Sequence, residues 1–279
     1  MAAIDLYRDV RGQGPAMLCL HGHPGNRQSM AVFTDVLSAH YRTISPDLRG
    51  YGLSHTSIPF SMADHLNDLE AMLRSLNIDK FWLLGWSLGG ILALELALRY
   101  PDRVLGLIGV ATAARPRSDH PPISRQLLTY SALAGISNGL VPGHPWIIEH
   151  WGRRSLFQYL VARQTPAVYR YLAREGIWAY LGTSRLAQQA LWQALRDGYD
   201  ARSRLSEIRC PCLWLIGDRD RHITPAASQE TARLLPHCDV RLYEETAHLF
   251  PWEVPNLVCQ DILTWLTHPD RTRPATSDH

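Results

Sequence analysis

Apolar positions along this chain switch in an ordered way between short continuous runs and a spacing near 3.6, the rhythm of strands alternating with helices. Ala16–Leu20 is an apolar run closed by Gly22 and reads as a buried strand, and residues 30–40 follow a polar stretch and read as a helix. Residues 41–45 return as a strand, followed by a loop from 46 to 60. A helix then opens at Ser61 with Asp64 in capping-box spacing and carries Leu66, Leu69, Met72, Leu73 and Leu76 along one face. Residues 80–86 form the next strand, 88–100 a helix stopped by Pro101, and Val104–Val110 a further strand. Such alternation predicts β-α-β units wound on a mostly parallel sheet, an α/β fold.

From 112 to 206 the pattern becomes helical segments broken by Pro121-Pro122, by Pro142-Gly-His-Pro145 and by Pro166. Four of the nine tryptophans lie here: Trp146, Trp151, Trp178 and Trp192. The stretch reads as an inserted helical cap. The strand-helix rhythm resumes with a strand at 211–217, a helix at 225–235, a strand at 239–243 and a last helix at 255–266. The domain expectation is therefore a core of residues 1–111 and 207–267, a cap of 112–206, and a frayed tail over 268–279.

Composition narrows the function. With 279 residues, 46% hydrophobic and 19% charged, the chain has the make-up of a folded globular protein rather than a disordered or collagen-like one. A net charge of +2 argues against nucleic acid and leaves a small-molecule substrate as the expected partner; the oligomeric state is not legible. No leader pattern opens the chain, and no apolar stretch reaches the ~18 residues of a membrane span. Five cysteines are an odd number, and Cys210-Pro-Cys212 is too tight for a metal knuckle, so a reduced, cytoplasmic setting is expected. Charge is unevenly placed: residues 113–207 hold twelve arginines against six acidic residues. Guanidinium groups there suit an anionic ligand or surface, while the plainer reading is solvated helix faces.

The sharpest chemical signal is Gly85-Trp86-Ser87-Leu88-Gly89-Gly90, a G-x-S-x-G between an apolar strand and an apolar helix. Small residues at 85 and 89 permit a sharp turn that holds Ser87 out at the end of the sheet. A serine hydroxyl is a weak nucleophile near neutral pH and needs a base, with an acid to orient that base. Two loops at downstream strand ends supply candidates: residues 217–225, with Asp218, Asp220 and His222, and residues 244–250, with His248. His248 is the natural base, His222 the alternative, and the residues themselves leave both aspartates open as the acid.

Taken together with the two segments that follow, these motifs make the chain resemble the α/β-hydrolase superfamily over nearly its whole length. Leu20-His21-Gly22-His23-Pro24-Gly25 is similar to that family's oxyanion segment, and residues 46–54, Pro-Asp-Leu-Arg-Gly-Tyr-Gly-Leu-Ser, to its D-x-R-G-x-G-x-S loop. The resemblance implies Ser87, Asp220 and His248 as a catalytic triad, with the backbone N–H groups of His23 and Leu88 as oxyanion donors. It also implies a cap between the strand after the elbow helix and the acid-bearing strand, and no cofactor. The pair His21 and His23 could be read as metal ligands, but the glycine-proline turn suits backbone donors better, so no metal is expected. Asp47 and Arg49 are expected to pin loops.

Serine members of the superfamily include esterases, lactonases, C–C bond hydrolases, aminopeptidases, cofactor-free haloperoxidases and acyltransferases. A serine at the elbow sets this chain apart from the dehalogenases and epoxide hydrolases, which carry aspartate there. A carboxylic ester hydrolase is the leading expectation, and a ligand sensor on the same fold is the reading from another class. Trp86, Trp146, Trp151 and Trp178 are the candidate substrate-binding residues.

Overall fold

Strands that are apolar on both faces must be covered on both faces, and successive side chains of a strand point to opposite sides. The computed structural model, which describes residues 2–119 and 124–268, obeys this directly. Its strands are β1 (Arg8–Arg11), β2 (Ala16–Leu20), β3 (Arg42–Pro46), β4 (Phe81–Trp86), β5 (Val104–Val110), β6 (Cys212–Gly217) and β7 (Cys238–Tyr243). They form one sheet in the order β1-β3-β2-β4-β5-β6-β7, with β1 antiparallel and the rest parallel. Leu18, Leu20, Leu83 and Trp214 pack into one core cluster, while Met17, Cys19, Leu84, Leu213 and Leu215 pack into another on the opposite face.

Helices α1 (Ala31–Leu37), α2 (Met62–Ser75) and α3 (Leu88–Arg99) precede a helical stretch between β5 and β6. That stretch contains α4 (Arg125–Leu140), α5 (Pro145–His150), α6 (Pro166–Leu181) and α7 (Arg185–Arg196), followed by α8 (Pro225–Leu234), α9 (Phe250–Glu253) and α10 (Pro255–Leu266) in the returning core. Leu66, Leu69, Leu92 and Leu96 of α2 and α3 cover one face of the sheet, and Phe33, Leu37, Val258 and Ile262 of α1 and α10 the other. The Ser61 amide and hydroxyl both donate to Asp64 Oδ2 at 2.9 Å, which starts α2 where the capping spacing predicts.

The helical stretch leaves and rejoins the core through a narrow neck, where the Ala201 N–H donates to the Ala114 carbonyl at 2.9 Å. It is also fastened to the loop after β3, the Ser184 N–H donating to the Gly50 carbonyl at 2.8 Å. Pro121 and Pro122, like residues 269–279 of the expected tail, lie outside the described residues.

Three local differences from the sequence reading have physical causes. β1 is an edge strand of Arg, Asp, Val and Arg, half exposed and paired on one side, so it carries no apolar run. α1 begins later than residue 30 because Asn26 caps a separate 3₁₀ turn over Arg27–Met30, its side chain accepting from the Gln28 and Ser29 amides. α9 is a single turn after the second candidate loop, too short to show a period.

The loop after β3 is organised by buried ions. Arg49 donates from Nε to Asp68 Oδ2 at 2.7 Å and from Nη2 to Oδ1, and Asp68 Oδ1 also accepts the Ile4 amide at 2.8 Å. Both side chains are about fully buried, so neither can recover its hydration if the other is lost. Asp68→Ala is therefore expected to cost about 3–5 kcal/mol of folding stability in a denaturant titration, far beyond a surface ion pair.

Candidate active site

β4 ends at Trp86, and the next residue, Ser87, has its backbone at φ 53° and ψ −117°, a region that side-chain-bearing residues rarely adopt. Such a residue costs of order 1–3 kcal/mol and persists only where its surroundings over-determine it. Here they do. A β-carbon on Gly85 would lie 2.3 Å from the Gly89 carbonyl oxygen, and one on Gly89 2.1 Å from that of Leu20, so only glycine lets strand and helix pass. The Ser87 N–H donates to the Val110 carbonyl at 2.9 Å, and Thr112 Oγ1 donates to the Ser87 carbonyl at 2.8 Å. Thr112 is in turn held at its own carbonyl by Trp214 Nε1 at 3.1 Å and Ser228 Oγ at 2.9 Å.

The loops after β6 and β7 bring two further side chains to that turn. Ser87 Oγ lies 3.1 Å from His248 Nε2, and His248 Nδ1 lies 2.8 Å from Asp220 Oδ2. Asp220 Oδ1 accepts the amides of His222 at 2.8 Å and Ile223 at 2.9 Å, which fixes the carboxylate plane. All three side chains are buried. Asp218, the other aspartate of the loop, instead accepts the Thr246 amide at 3.1 Å and braces the loop before His248. The His222 ring stands edge-on to His248, with 4.6 Å between centroids.

Gly22 faces this turn closely, since a β-carbon there would lie 3.0 Å from Ser87 Cβ. Among the described residues, neither the His23 nor the Leu88 amide donates to a protein acceptor. The paired histidines are committed elsewhere: the Leu48 amide donates to His21 Nε2 at 3.1 Å, so His21 Nδ1–H donates to the Gly22 carbonyl at 2.8 Å. His23 Nδ1 lies 2.9 Å from the Tyr51 hydroxyl. Asp47 accepts from the Arg27 amide at 2.7 Å, the Arg27 guanidinium at 2.8 Å and the Leu53 amide at 2.8 Å, which ties the two loops together.

The four tryptophans separate. Trp86 packs edge-to-face on Trp252 at 4.7 Å and lies 5.8 Å from the His248 ring. Trp146 stacks on His150 at 4.4 Å and meets Trp151 edge-on at 5.7 Å, a cluster of the helical stretch in which Trp146 is exposed. Trp178 on α6 is 61% exposed, and among the described residues no ring contact or hydrogen bond joins it, Trp146 or Trp151 to Ser87 or His248. Thr112 belongs to no motif, and Tyr51 and Ile223 stand at variable places of the loops that the sequence reading singled out, so only the fold reveals their contacts.

The model of the family described as alpha/beta hydrolase fold matches residues 15–138. The pimeloyl-(acyl-carrier protein) methyl ester esterase of Vibrio atlanticus is 27% identical over 266 residues, covering 93% of this chain and 97% of that protein. The esterase of the same name from Xanthomonas oryzae pv. oryzae is 31% identical over 247 residues, 83% of this chain and 87% of its own. The chain belongs to the α/β-hydrolase family. A solved thermophilic esterase from Thermogutta terrifontis superposes on this hydrolase with a TM-score of 0.69 at 28% identity, covering 94% of this chain and 92% of that one.

Around Gly22 the hydrolase gathers three histidines, His21 and His65 buried and His23 half-buried. Burial pushes His21 and His23 down from 6.5 to about 4, and His65 to about 3, with His21 and Arg49 adding repulsion at His65 and Asp64 opposing it. His65 Nδ1 has no hydrogen-bond partner among the described residues. In the unfolded chain these rings take up protons near pH 6.5, and in the folded one only near 4 or below. Stability is therefore fully present above 6.5 and lost as pH falls towards 4, because the unfolded state binds the extra protons. Thermal melts between pH 7 and about 5, where carboxylates stay ionised, should show a falling Tm, and a shallower fall in His65→Phe. A Tm independent of pH in that range would contradict the neutral cluster.

Proposed function

We propose that this enzyme hydrolyses carboxylic esters of small to medium size through an acyl-enzyme on Ser87, with Asp220, His248 and Ser87 as its triad. The observation that carries the reading is the continuous relay Asp220–His248–Ser87, with spacings of 2.8 and 3.1 Å, at the strained end of β4. Its support from relatives is their naming as esterases, at near full-length coverage.

In this mechanism Ser87 Oγ attacks the ester carbonyl carbon while its proton passes to His248 Nε2. Asp220 keeps the Nδ1–H tautomer in place and stabilises the imidazolium that forms. The amides of His23 and Leu88 receive the oxygen on which negative charge develops, a role worth about 3 kcal/mol per donor in comparable sites. His248 then gives its proton to the departing alkoxide, and water, activated by the same ring, releases the acid and restores Ser87.

The reading assigns residues 112–206 as a cap over this site and Trp86 as the tryptophan nearest the reacting atoms. A small-molecule ester is the partner, and five free thiols suit a reducing, cytoplasmic compartment. Among the described residues no helix is long and apolar enough to cross a membrane.

A fluorophosphonate probe and a chain-length series of nitrophenyl esters test the assignment. Labelling and turnover are expected in the wild type and both should vanish in Ser87→Ala. Asp220→Asn should lower kcat roughly 10⁴-fold, while Asp218→Asn leaves it within about threefold, since only the first orients the base. Undiminished labelling of Ser87→Ala would refute the nucleophile, and labelling without turnover on any ester would favour a sensor.

A further inference from the structure

The side chain of His248 is held by Asp220 at one nitrogen, but nothing in that bond fixes the backbone from which the ring projects. The backbone is held by other contacts. The residue before it donates its amide to a carboxylate, Ala247 N–H to Glu253 Oε1 at 3.0 Å. The residue after it donates its amide to the helical stretch, Leu249 N–H to the Leu160 carbonyl at 2.9 Å. The second oxygen of the same carboxylate accepts the Arg163 N–H at 2.6 Å, and Arg163 Nη2 donates to the Glu244 carbonyl at 3.1 Å. Glu253 itself is anchored on α9, its own N–H donating to the Leu249 carbonyl at 3.2 Å.

We infer that Glu253 is a positioning residue for the reaction: its carboxylate bridges the amide preceding the base to an amide of the segment between β5 and β6, and so sets where the His248 ring stands over Ser87. The inference rests on the Ser87–His248–Asp220 reading. Amide donors that meet both oxygens, Ala247 on one and Arg163 on the other, with the Ala162 amide as a further donor, require an acceptor at each end, which only a carboxylate supplies. A glutamine would turn its NH₂ towards one of the two donors. An aspartate keeps the charge but is one methylene short of spanning both. A shift of the loop by even an ångström would lengthen the 3.1 Å approach of Nε2 to Ser87 Oγ beyond proton transfer.

The test uses the full chain with Glu253→Gln and Glu253→Asp, assayed on the best nitrophenyl ester of the series and with the fluorophosphonate. Both variants are expected to lose roughly 10- to 100-fold in kcat with KM unchanged, while Ser87 is still labelled to completion, only more slowly. Wild-type kcat in either variant, or a loss confined to KM, would overturn the inference, because a contact that merely held the helical segment in place would change binding rather than turnover. Amide exchange on the wild type asks the same question without a substitution. The Ala247 and Arg163 N–H groups should be protected to a similar extent, and exchange of Ala247 at the rate of an open loop would overturn the bridge. A wild type that neither labels at Ser87 nor cleaves an ester overturns the triad and this inference together. An active wild type with unaffected variants overturns the inference alone.

Discussion

β4 and α3 pass each other at a separation set by backbone atoms, because Gly85, Gly89 and the carbonyls of Leu20 and Gly89 leave no room for a single β-carbon. That approach forces the strand to reverse into the helix within one residue, and the residue at the reversal takes the positive φ observed for Ser87. Its side chain is thereby excluded from both the strand and the helix and emerges at the carboxyl end of the sheet. The strain is balanced by bonds at both its amide and its carbonyl, from β5 and from Thr112 just beyond it. Loss of the glycines would remove the geometry before it touched any reacting group.

The groups gathered around this reversal share one design, in which charges are placed where they are needed and suppressed elsewhere. Asp220 accepts the amides of His222 and Ile223, while burial lowers the proton affinity of His21 and His23 on either side of Gly22. A neutral ring can accept from the Leu48 amide, as His21 does, or meet the Tyr51 hydroxyl, as His23 does. The buried Arg49–Asp68 pair holds the loop after β3 to α2, and the Arg27–Asp47 pair holds it to the 3₁₀ turn that follows the Gly22 segment. Rigidity on that side comes from ions, and on the sheet side from close packing.

Much of the sheet was legible because buried parallel strands read as apolar runs and the glycines of the Ser87 turn have no substitute. The order Ser87, aspartate, His248 was equally legible, but the choice between Asp218 and Asp220 was not a matter of spacing. Two aspartates two residues apart are separated only by which one meets the ring and which one meets the Thr246 amide. β1 was hidden because an edge strand needs no apolar face. The tryptophans were the least informative residues: indole rings serve packing wherever they fall, so composition could not distinguish Trp86, beside His248, from Trp146 and Trp178 at the surface.

The hydrogen bond that joins Ala201 to Ala114 makes the entire stretch between β5 and β6 enter and leave through adjacent points. To the sheet, the 86 residues between them are equivalent to one tight connection. Lengthening a closed loop adds little entropic penalty once its ends are fixed together, each doubling costing only about 0.6 kcal/mol. Insertions or deletions within that stretch therefore reach β5 and β6 only weakly, provided that its fastenings at Ser184, Leu160 and Arg163 are kept.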